Sequence, residues 1–420
     1  MRSRVATGAL TSGRYYRRSP FLLAWWSGKE LVLFNYATRA AFPVTPDVLS
    51  FLETLSQWRS ERTLLAEAAP HSQRLRRTLR RLARLTLLES RTTAHAPPNP
   101  MSSWGSWNPL AGAFHMATKD AVFVNSYQKD ATAPRRSRPR PTKTYPQRPV
   151  IALTDFGRTD PFVDVLLRRR TWRQFGTGPM TLSDLSTLLS LTCRIQMWGV
   201  DVDGDRAPFK TSPSGGATHP GEAYVIALRV SGLNNGIYHY RADRHALEQL
   251  QAGATPGLVR QFLPAQPWFT KAAAVVLFTA VFGRSQWRYQ YARSYRAVLI
   301  EAGHLCQTFL LTATWLGLAP FCTMSLGDTA IERALGLDGI TESVLYAAGV
   351  GQRPAGLTWA PNPALSPRTQ SAMRRRLKET TRLGLLDTHK LPRQPVDAAS
   401  DKLGKPRLAK QRRRSRRLEH

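Results

Sequence analysis

The feature that most constrains the fold is a nearly continuous apolar run of 11 residues from Ala272 to Phe282, AAAVVLFTAVF. Such a β-rich run is typical of a strand in a packed sheet and is too short to cross a bilayer. Residues 223–230 and 343–351 also have strand patterns, and residues 295–316 have the length and apolar content of a buried helix. The sequence therefore predicts an α+β sheet domain of about 200 residues.

The residues that precede this domain predict a small separate module between positions 20 and 90. Two β-rich segments, FLLAWW and LVLFNY, flank SGKE, which suits a hairpin turn. Helical patterns follow at residues 46–58, 61–69 and 71–85. A hairpin with three short helices resembles a winged-helix module, which binds DNA in some proteins and peptides in others, so the architecture alone does not choose a ligand.

The chain is strongly basic, with 60 Lys and Arg against 28 Asp and Glu and a net charge of +32. Residues 366–420 hold 17 basic against 5 acidic residues, and residues 131–150 form a basic, proline-rich linker. A third cluster covers the predicted helix from Arg74 to Leu85, in which leucines recur at helical spacing. These surfaces would attract phosphate or an acidic partner, although an Arg-rich surface without a defined ligand is the simpler interpretation.

Cysteine usage gives no sign of a disulfide framework. Cys193, Cys306 and Cys322 are unevenly spaced and include no C-x-x-C pair, so a cysteine-based zinc site is not predicted either. The N-terminal residues do not have the pattern of a cleavable signal peptide. We therefore expect a cytoplasmic protein without a bound metal.

Two segments carry arginines suited to an anion. Arg169, Arg170, Thr171 and Arg173 follow a predicted helix, and planar guanidinium groups beside a hydroxyl can hold a phosphate. A solvated helix end is the alternative interpretation. The segment GVGQRPAG superficially matches a dinucleotide-binding fingerprint, but its proline and last glycine would break the helix that must follow. Its Arg353 remains available as a phosphate contact.

A glycine pair and a tyrosine are the other candidate site features. Ser214, Gly215 and Gly216 lie in TSPSGGATHP before a strand, where a flat cofactor could approach the backbone closely. An ordinary turn is about equally consistent with that segment. Arg288 and Tyr289 lie in a polar aromatic segment predicted as a loop, where a phenol beside a cation could donate or accept a proton. A surface aromatic held by cation–π contacts is the alternative.

Glu301 and His304 form an E-x-x-H pair on one face of the long predicted helix. Repeated pairs of this kind bind iron in carboxylate-bridged sites, but here the pair occurs once. We interpret it as helix packing or a local hydrogen bond.

In order along the chain, these segments resemble the SagB-type, or McbC-like, branch of the FMN-dependent nitroreductase superfamily, whose best-known members are azoline oxidases. The resemblance extends from about residue 20 to 355. In the core domain it rests on RRRTWRQF (168–175), PSGGATHPGEAYV (213–225), GIYHY (236–240), WRYQYARSYRAVLIEAGHLCQ (287–307) and LGLAPFCTMSLGD (316–328).

The resemblance implies a nitroreductase fold and a homodimer that holds FMN in a cleft shared between subunits. It also implies roles for individual residues. The ribityl phosphate would be held by Arg169, Arg170, Thr171, Arg173 and Arg353. The loop beside the flavin would be Ser214, Gly215 and Gly216, and Met324 and Ser325 would lie near the segment whose backbone N–H faces the flavin N5.

The chain departs from the family at one informative position. Azoline-oxidising relatives carry a Lys-Tyr pair where this chain has Arg288 and Tyr289. Arginine stays charged, so Arg288 could orient or stabilise an anion but could not act as a base. Either Tyr289 handles the proton alone, or the substrate is not a peptide azoline.

The sequence thus predicts four regions and an enzymatic function. The regions are a winged-helix-like module (1–100), a connector with the Pro/Arg-rich linker (101–147), a nitroreductase-like FMN domain (148–360) and a basic tail (361–420). The expected activity is oxidation of an azoline to an azole in a peptide or peptide-like natural product, with dioxygen as electron acceptor. A cyclodehydratase is an implied partner, and neither a membrane nor nucleic acid is expected to be one. An NAD(P)H-dependent nitro or quinone reductase remains an alternative, as does a nucleic-acid-binding protein with a flavin-sensing core.

Overall fold

The computed structural model describes residues 13–92, 99–121, 161–201 and 204–357, together with the single residues Ile151, Leu153, Ser371 and Arg375. The four ranges belong to one compact unit, Met1–Lys143 with Asp160–Leu365. In the second unit, Thr144–Thr159 with Ser366–His420, the four single residues are the ones that the structure describes. The predicted linker at 131–150 lies outside the described residues, as does the predicted tail apart from Ser371 and Arg375.

The N-terminal region forms two small antiparallel sheets and three helices. Its strands are β1 (Tyr15–Arg18), β2 (Leu22–Ser27), β3 (Glu30–Asn35), β4 (Ala40–Val44), β5 (Arg59–Ser60) and β6 (Leu88–Arg91). Its helices are α1 (Pro46–Glu53), α2 (Glu61–Glu67) and α3 (Ser72–Arg84). β3 lies between β2 and β4, and β1 lies between β5 and β6. The predicted hairpin is confirmed, because β2 and β3 pair around a turn at Gly28, whose φ is +61°.

Helix α3 turns its leucines inward and its arginines outward. Leu79 and Leu82 are buried in the N-terminal core and Leu75 is half-buried, as their helical spacing predicted. The outward residues are all exposed: Arg74, Arg76, Arg77, Arg80, Arg81 and Arg84. This face is therefore a strongly basic surface of the N-terminal region.

Residues 99–121 pack into the C-terminal half of the chain. They form a 3-10 helix, Pro100–Trp107, and α4, Asn108–Thr118. Trp104 and Trp107 are buried against Phe282 and Tyr295, and the Trp104 indole N–H donates to the carbonyl of Ile340 (2.9 Å). The predicted connector region thus contributes large aromatic side chains to the core beneath the larger sheet.

The C-terminal half contains the remaining elements. Its strands are β7 (Met180–Thr181), β8 (Met197–Val200), β9 (Arg206–Phe209), β10 (Gly221–Ala227), β11 (Val230–Ser231), β12 (Gly236–Arg241), β13 (Ala246–Ala252), β14 (Ala274–Val281), β15 (Ala319–Thr323) and β16 (Glu342–Gly351). Its α-helices are α5 (Pro161–Arg168), α6 (Leu182–Cys193), α7 (Pro256–Phe262), α8 (Phe282–Arg288), α9 (Ser294–Trp315) and α10 (Asp328–Leu335). Short 3-10 helices occupy Gly215–Ala217 and Pro267–Lys271.

A six-stranded antiparallel sheet forms the centre, in the order β13-β12-β10-β14-β16-β15. The apolar run singled out in the sequence forms β14, which is buried on both faces. Val276 and Phe278 pack towards α6 and α9, whereas Val275 and Leu277 pack towards α7 and α10. The expected mixed α+β domain is therefore present, with helices covering both faces of the sheet.

Helix α9 is the one described helix long and apolar enough to cross a membrane. The most apolar stretch of 18 residues in α9 has a mean hydropathy of 1.2, and half of that stretch is buried inside the protein. A core helix passes the same test, so one such helix is weak evidence for a membrane span. Phe309 and Leu310 pack on the sheet, in agreement with the buried helix predicted over residues 295–316.

A buried ion pair joins residues 99–121 to the sheet domain. The Lys119 ammonium lies 2.5 Å from Glu332 on α10, and both side chains are only 6% exposed. Glu332 also accepts a hydrogen bond from the Ser343 hydroxyl (2.5 Å), and Lys119 donates to the carbonyl of Gly339 (3.3 Å). Next to them, burial lowers the pKa of His115 to about 4, so this imidazole is neutral at pH 7.

We expect Lys119→Met to lower the free energy of unfolding by about 3–5 kcal/mol, because it leaves the Glu332 carboxylate buried and unpaired. Equilibrium urea denaturation measures the change. The control is Arg18→Met, which breaks the exposed pair between Arg18 and Glu53 and should change the free energy of unfolding by less than about 1 kcal/mol. Equal effects of the two variants would contradict this account of the buried pair.

Candidate active site

The loop that precedes β10, residues 214–219, is called here the glycine loop. The Ser214 carbonyl accepts the N–H of Ala217 (3.1 Å), and the Ser214 hydroxyl accepts the N–H of His219 (2.9 Å). Gly216 has a φ of +58°, in the left-handed region that glycine tolerates best. The loop is thus a closed turn that presents the backbone of Gly215 and Gly216.

Arg288 and Tyr289 pack directly against this loop. The sequence predicted a loop around them, but Arg288 is the last residue of α8, a helix of seven residues that is too short to show a clear period. A Cβ atom added to Gly216 would collide with the Cδ of Arg288 and would lie only 2.7 Å from the Tyr289 hydroxyl. The structure therefore brings together the predicted loop and the predicted Arg-Tyr pair.

Tyr289 is held by its backbone on two sides. Its N–H donates to Ser285 within α8 (2.8 Å), and its carbonyl accepts from the Ser294 hydroxyl at the start of α9 (3.0 Å). The same carbonyl accepts from the indole N–H of Trp107 (2.9 Å). Residues from the N-terminal half therefore fix the position of the candidate catalytic tyrosine.

Arg288 forms an ion pair that the sequence did not predict. Its Nη1 lies 2.6 Å from Oδ2 of Asp201, at the end of β8, and the two side chains are 14% and 9% exposed. Asp201 Oδ1 also accepts the N–H of Asp205 (3.0 Å), which links the end of β8 to the start of β9. The guanidinium is thus oriented by a carboxylate from another element.

Glu301 on α9 contacts the glycine loop directly. Its Oε1 accepts the N–H of Gly215 (2.8 Å), and Nδ1 of His304, one turn later, lies 3.4 Å from the carbonyl of Pro213. Both members of the E-x-x-H pair therefore make the local contacts that its spacing suggested. Burial raises the pKa of Glu301, while its hydrogen bonds to Gly215 and Ser214 act in the opposite direction.

Behind the glycine loop lies a small cavity lined by Lys210, Ser212, His219 and Glu301, among others. Burial lowers the pKa of Lys210. Burial, reinforced by the charge of Lys210, also lowers the pKa of His219 to about 4, so His219 is neutral at pH 7. The space between the glycine loop and α9 is therefore lined by two basic side chains, Lys210 and His219, together with Glu301.

The predicted phosphate-binding arginines form a second group, called here the arginine cluster: Arg169, Arg170, Arg173 and Arg353. The Trp172 N–H donates to the carbonyl of Pro320 on β15 (2.8 Å), which fixes the segment after α5. Arg353 follows β16, donates to the carbonyl of Leu318 (2.9 Å) and lies 5.5 Å from the ring centroid of Trp172. Thr171 is half-buried in the same segment.

The arginine cluster has the electrostatics of an anion site. In the described part of the chain, no carboxylate lies within 4.0 Å of these four guanidinium groups, whereas the neighbouring Arg168 pairs with Asp164 (2.7 Å). Burial and the charge of nearby arginines lower the pKa of Arg170 and of Arg353. Half-buried guanidinium groups without a counter-ion fit a phosphate group.

The two groups lie at opposite ends of the central sheet. Gly221, the first residue of β10, pairs with Ala280 near the end of β14, so the glycine loop and α8 share one end. Ala319, the first residue of β15, pairs with Gly351 at the far end of β16, beside the arginine cluster. Ten residues of β16 span about 30 Å.

Met324 and Ser325 follow the end of β15. Met324 is exposed, and the Ser325 N–H donates to the hydroxyl of Thr323 (3.0 Å). Gln266 contacts the same hydroxyl (2.7 Å). Contact of this segment with a flavin stays a prediction.

Asp201 and Lys210 are the site residues that sequence reasoning missed. Asp201 is 87 residues from Arg288 along the chain, and no local motif marks either residue. Glu301 had a usable signal, because its spacing from His304 placed both residues on one helical face. In the part of the chain that the structure describes, no group of three His, Cys, Asp or Glu side chains could hold a metal ion.

Comparison with known proteins identifies the family. Residues 166–352 match the model of the nitroreductase family. A segment of 190 residues, 45% of this chain, is 33% identical to "Putative nitroreductase MJ1384" of Methanocaldococcus jannaschii and covers 90% of that protein. This chain belongs to the nitroreductase family. The family match begins just before the arginine cluster and includes the glycine loop, α8 and α9.

Two further comparisons connect this nitroreductase-family chain with a narrower group. It is 32% identical over 144 residues to the trifolitoxin-processing protein TfxB of Rhizobium leguminosarum bv. trifolii, a match that covers 33% of this chain and 38% of TfxB. A chain of the E. coli microcin synthetase McbBCD complex with truncated pro-MccB17 is 20% identical, with a TM-score of 0.45, over 62% of this chain and 99% of that one. The predicted relation to McbC-like, SagB-type dehydrogenases is confirmed.

The glycine loop generates a matched pair of predictions. Gly216→Ala should lower the free energy of unfolding by about 2–4 kcal/mol, because its methyl group meets Arg288 and Tyr289 at a left-handed φ. Gly215→Ala should change it by less than about 1 kcal/mol, since the nearest atom to its Cβ lies at 3.5 Å. Urea denaturation of both variants measures the difference. Equal stability of the two variants would show that the packing around Gly216 is looser than described.

Proposed function

We propose that this protein is an FMN-dependent oxidoreductase that oxidises an azoline to an azole in a peptide or peptide-like natural product, with dioxygen as the electron acceptor. The observation that carries the proposal is that one fold contains both an arginine cluster without a carboxylate partner among the described residues and a glycine loop that packs against Tyr289. Nitroreductase-family proteins typically bind FMN. The narrower azoline-oxidase activity is supported by the SagB-type relation and by the similarity to TfxB.

The residues present fit FMN. The arginine cluster, with Thr171, would hold the ribityl phosphate because its guanidinium groups are half-buried and lack carboxylate partners among the described residues. Gly215 and Gly216 would allow the flat ring system to approach the backbone, and the segment of Met324 and Ser325 would face its reactive edge. When bound, FMN supplies a hydride acceptor at N5.

The protein's own residues handle the proton. The Tyr289 hydroxyl lies against the glycine loop and is the group that donates or accepts a proton at the substrate. Arg288 remains charged in its ion pair with Asp201, so it stabilises negative charge near Tyr289 without itself transferring a proton.

A homodimer accounts for the distance between the two groups. One protomer's arginine cluster and glycine loop lie at opposite ends of its sheet, so a single FMN would be enclosed by the arginine cluster of one protomer and the glycine loop of its partner. Large exposed apolar side chains on α4, α8 and α9 support a subunit contact at this side of the molecule. They are Leu110, Phe114, Trp287 and Ile300.

The N-terminal region would bind the part of the peptide that is not modified. It is proposed to act as a winged-helix-like module, in which the exposed arginines of α3 attract an acidic leader segment. Trp25 and Trp26 are exposed on β2, an edge strand of its sheet, where an extended peptide could pair. A cyclodehydratase would supply the azoline substrate.

An NAD(P)H-dependent reductase of nitro compounds or quinones is the second candidate. The observation that favours it is the match to most of the length of MJ1384, which is named as a nitroreductase. Rapid bleaching of the flavin by NADPH in the absence of a peptide would favour this reductase over the dehydrogenase.

Flavin retention tests the cofactor assignment. Arg170→Ala combined with Arg173→Ala should abolish the visible flavin absorbance of the purified protein, because the phosphate loses two cationic partners. The matched control is Arg80→Ala with Arg84→Ala on α3, which removes the same charge from an exposed surface and should leave the flavin bound. Retained flavin in the first variant would refute the arginine cluster as the phosphate site.

Turnover of a synthetic peptide that carries one thiazoline tests the role of Tyr289. Tyr289→Phe should lower kcat by about 10²–10⁴-fold with the flavin still bound, because general acid–base catalysis contributes a factor of that size. Mass spectrometry follows the loss of hydrogen from the peptide. Tyr291→Phe, whose ring lies 5.9 Å from that of Tyr289, is the control and should stay active. Full activity of Tyr289→Phe would remove this hydroxyl from the mechanism.

A further inference from the structure

The glycine loop holds a backbone that ordinary residues avoid. Gly216, Ala217 and His219 have φ angles of +58°, +54° and +40°. Alanine and histidine adopt this left-handed region only at a cost in free energy, so contacts from outside the loop must stabilise the conformation. Two carboxylates supply such contacts.

Glu301 is the first of these carboxylates. Its Oε1 accepts the Gly215 N–H (2.8 Å), and the nearby Ser214 side chain acts to lower the pKa of Glu301. The Ser214 hydroxyl in turn accepts the His219 N–H, so this group of bonds extends from α9 to the far end of the loop. Glu301 therefore links the start of the loop to α9.

Asp201 is the second carboxylate, and it acts through Arg288. One of its oxygens links the end of β8 to the start of β9, and the other holds the guanidinium at 2.6 Å. The stem of Arg288 then lies against Gly216. Since the side chains of both Asp201 and Arg288 are largely buried, the pair is shielded from solvent and fixes the stem against the loop.

The Tyr289 hydroxyl depends on the same loop. The position of a Cβ on Gly215 lies 3.6 Å from Oε1 of Glu301 and 4.0 Å from the hydroxyl of Tyr289, and the hydroxyl also contacts Gly216. A shift of the loop backbone would therefore move the surface against which the phenol rests.

We infer that Asp201 and Glu301 are positioning residues that hold the glycine loop, and with it the hydroxyl of Tyr289, in the geometry the reaction needs. Glu301 acts on the loop directly, and Asp201 acts through Arg288. This assignment also gives the arginine at position 288 a structural role, because its planar guanidinium bonds Asp201 while its stem packs on Gly216. The inference rests on the proposed function only where it concerns catalysis by Tyr289.

Hydrogen exchange of the full-length protein, followed by mass spectrometry, tests the support of the loop. Asp201→Asn and Glu301→Ala should each raise the exchange rate of the amides in residues 214–219 by about 10-fold or more. The matched control is Asp243→Asn, which removes a carboxylate from an exposed pair with Arg241 at another turn and should leave those amides unchanged. Unchanged exchange in both test variants would overturn the inference.

A conservative variant separates positioning from a simple loss of charge. Glu301→Gln keeps an oxygen that can accept the Gly215 N–H, so its exchange rates should remain near those of the unaltered protein. Far-UV circular dichroism confirms that each variant is folded. Exchange in Glu301→Gln as fast as in Glu301→Ala would contradict the role of Glu301 as a hydrogen-bond acceptor.

Kinetics with the thiazoline peptide provide the second readout. Asp201→Asn should lower kcat by about 10- to 100-fold with KM little changed, as expected when a reacting group is displaced by a fraction of an ångström to an ångström. An unchanged kcat with faster exchange would overturn the link between the loop and Tyr289. If the unaltered protein neither binds FMN nor oxidises the peptide, the proposed function fails, but the exchange experiment still decides whether the two carboxylates hold the loop.

Discussion

Burial of β14 on both faces is the constraint on which the remainder of the structure depends. Its side chains alternate between two separate cores, so α9 and α6 must cover one face of the sheet while α7 and α10 cover the other. If the strand shifted by one residue, each of its side chains would point into the opposite core. The ends of the sheet are therefore fixed in position, and each of the two groups of candidate site residues is attached to one end.

The parts of the fold that the sequence revealed are those whose signal is local. The strand at β14 and the helix at α9 each carry a long apolar pattern that needs no knowledge of neighbours. β13 was missed because it is an exposed edge strand with few apolar residues, and β15 because it is short and contains Pro320. The candidate arginines, glycines and tyrosine were predicted from residue type and their role in a site stays a prediction, whereas Asp201 was not predicted, because an ion pair across 87 residues leaves no pattern.

The placement of acidic residues distinguishes structural cations from those left for a ligand. The chain has 28 Asp and Glu for 60 Lys and Arg, so most cations cannot be paired. Among the described residues, buried carboxylates are assigned to Lys119 and to Arg288, where they fix the N-terminal segment and the glycine loop. The arginine cluster is half-buried and has no carboxylate partner within the part of the chain that the structure describes. Because desolvated cations without a partner are unfavourable, an anionic ligand is the simplest reason for their persistence there.

The family match covers residues 166–352, yet the site also depends on residues outside it. The carbonyl of Tyr289 is held by Trp107, and the helix that follows Trp107 leads to the ion pair of Lys119 with Glu332. These contacts make residues 99–121 part of the framework beneath α8. A change in this segment would therefore reach the position of Tyr289 through one hydrogen bond, so the N-terminal half helps to fix the geometry of the candidate site.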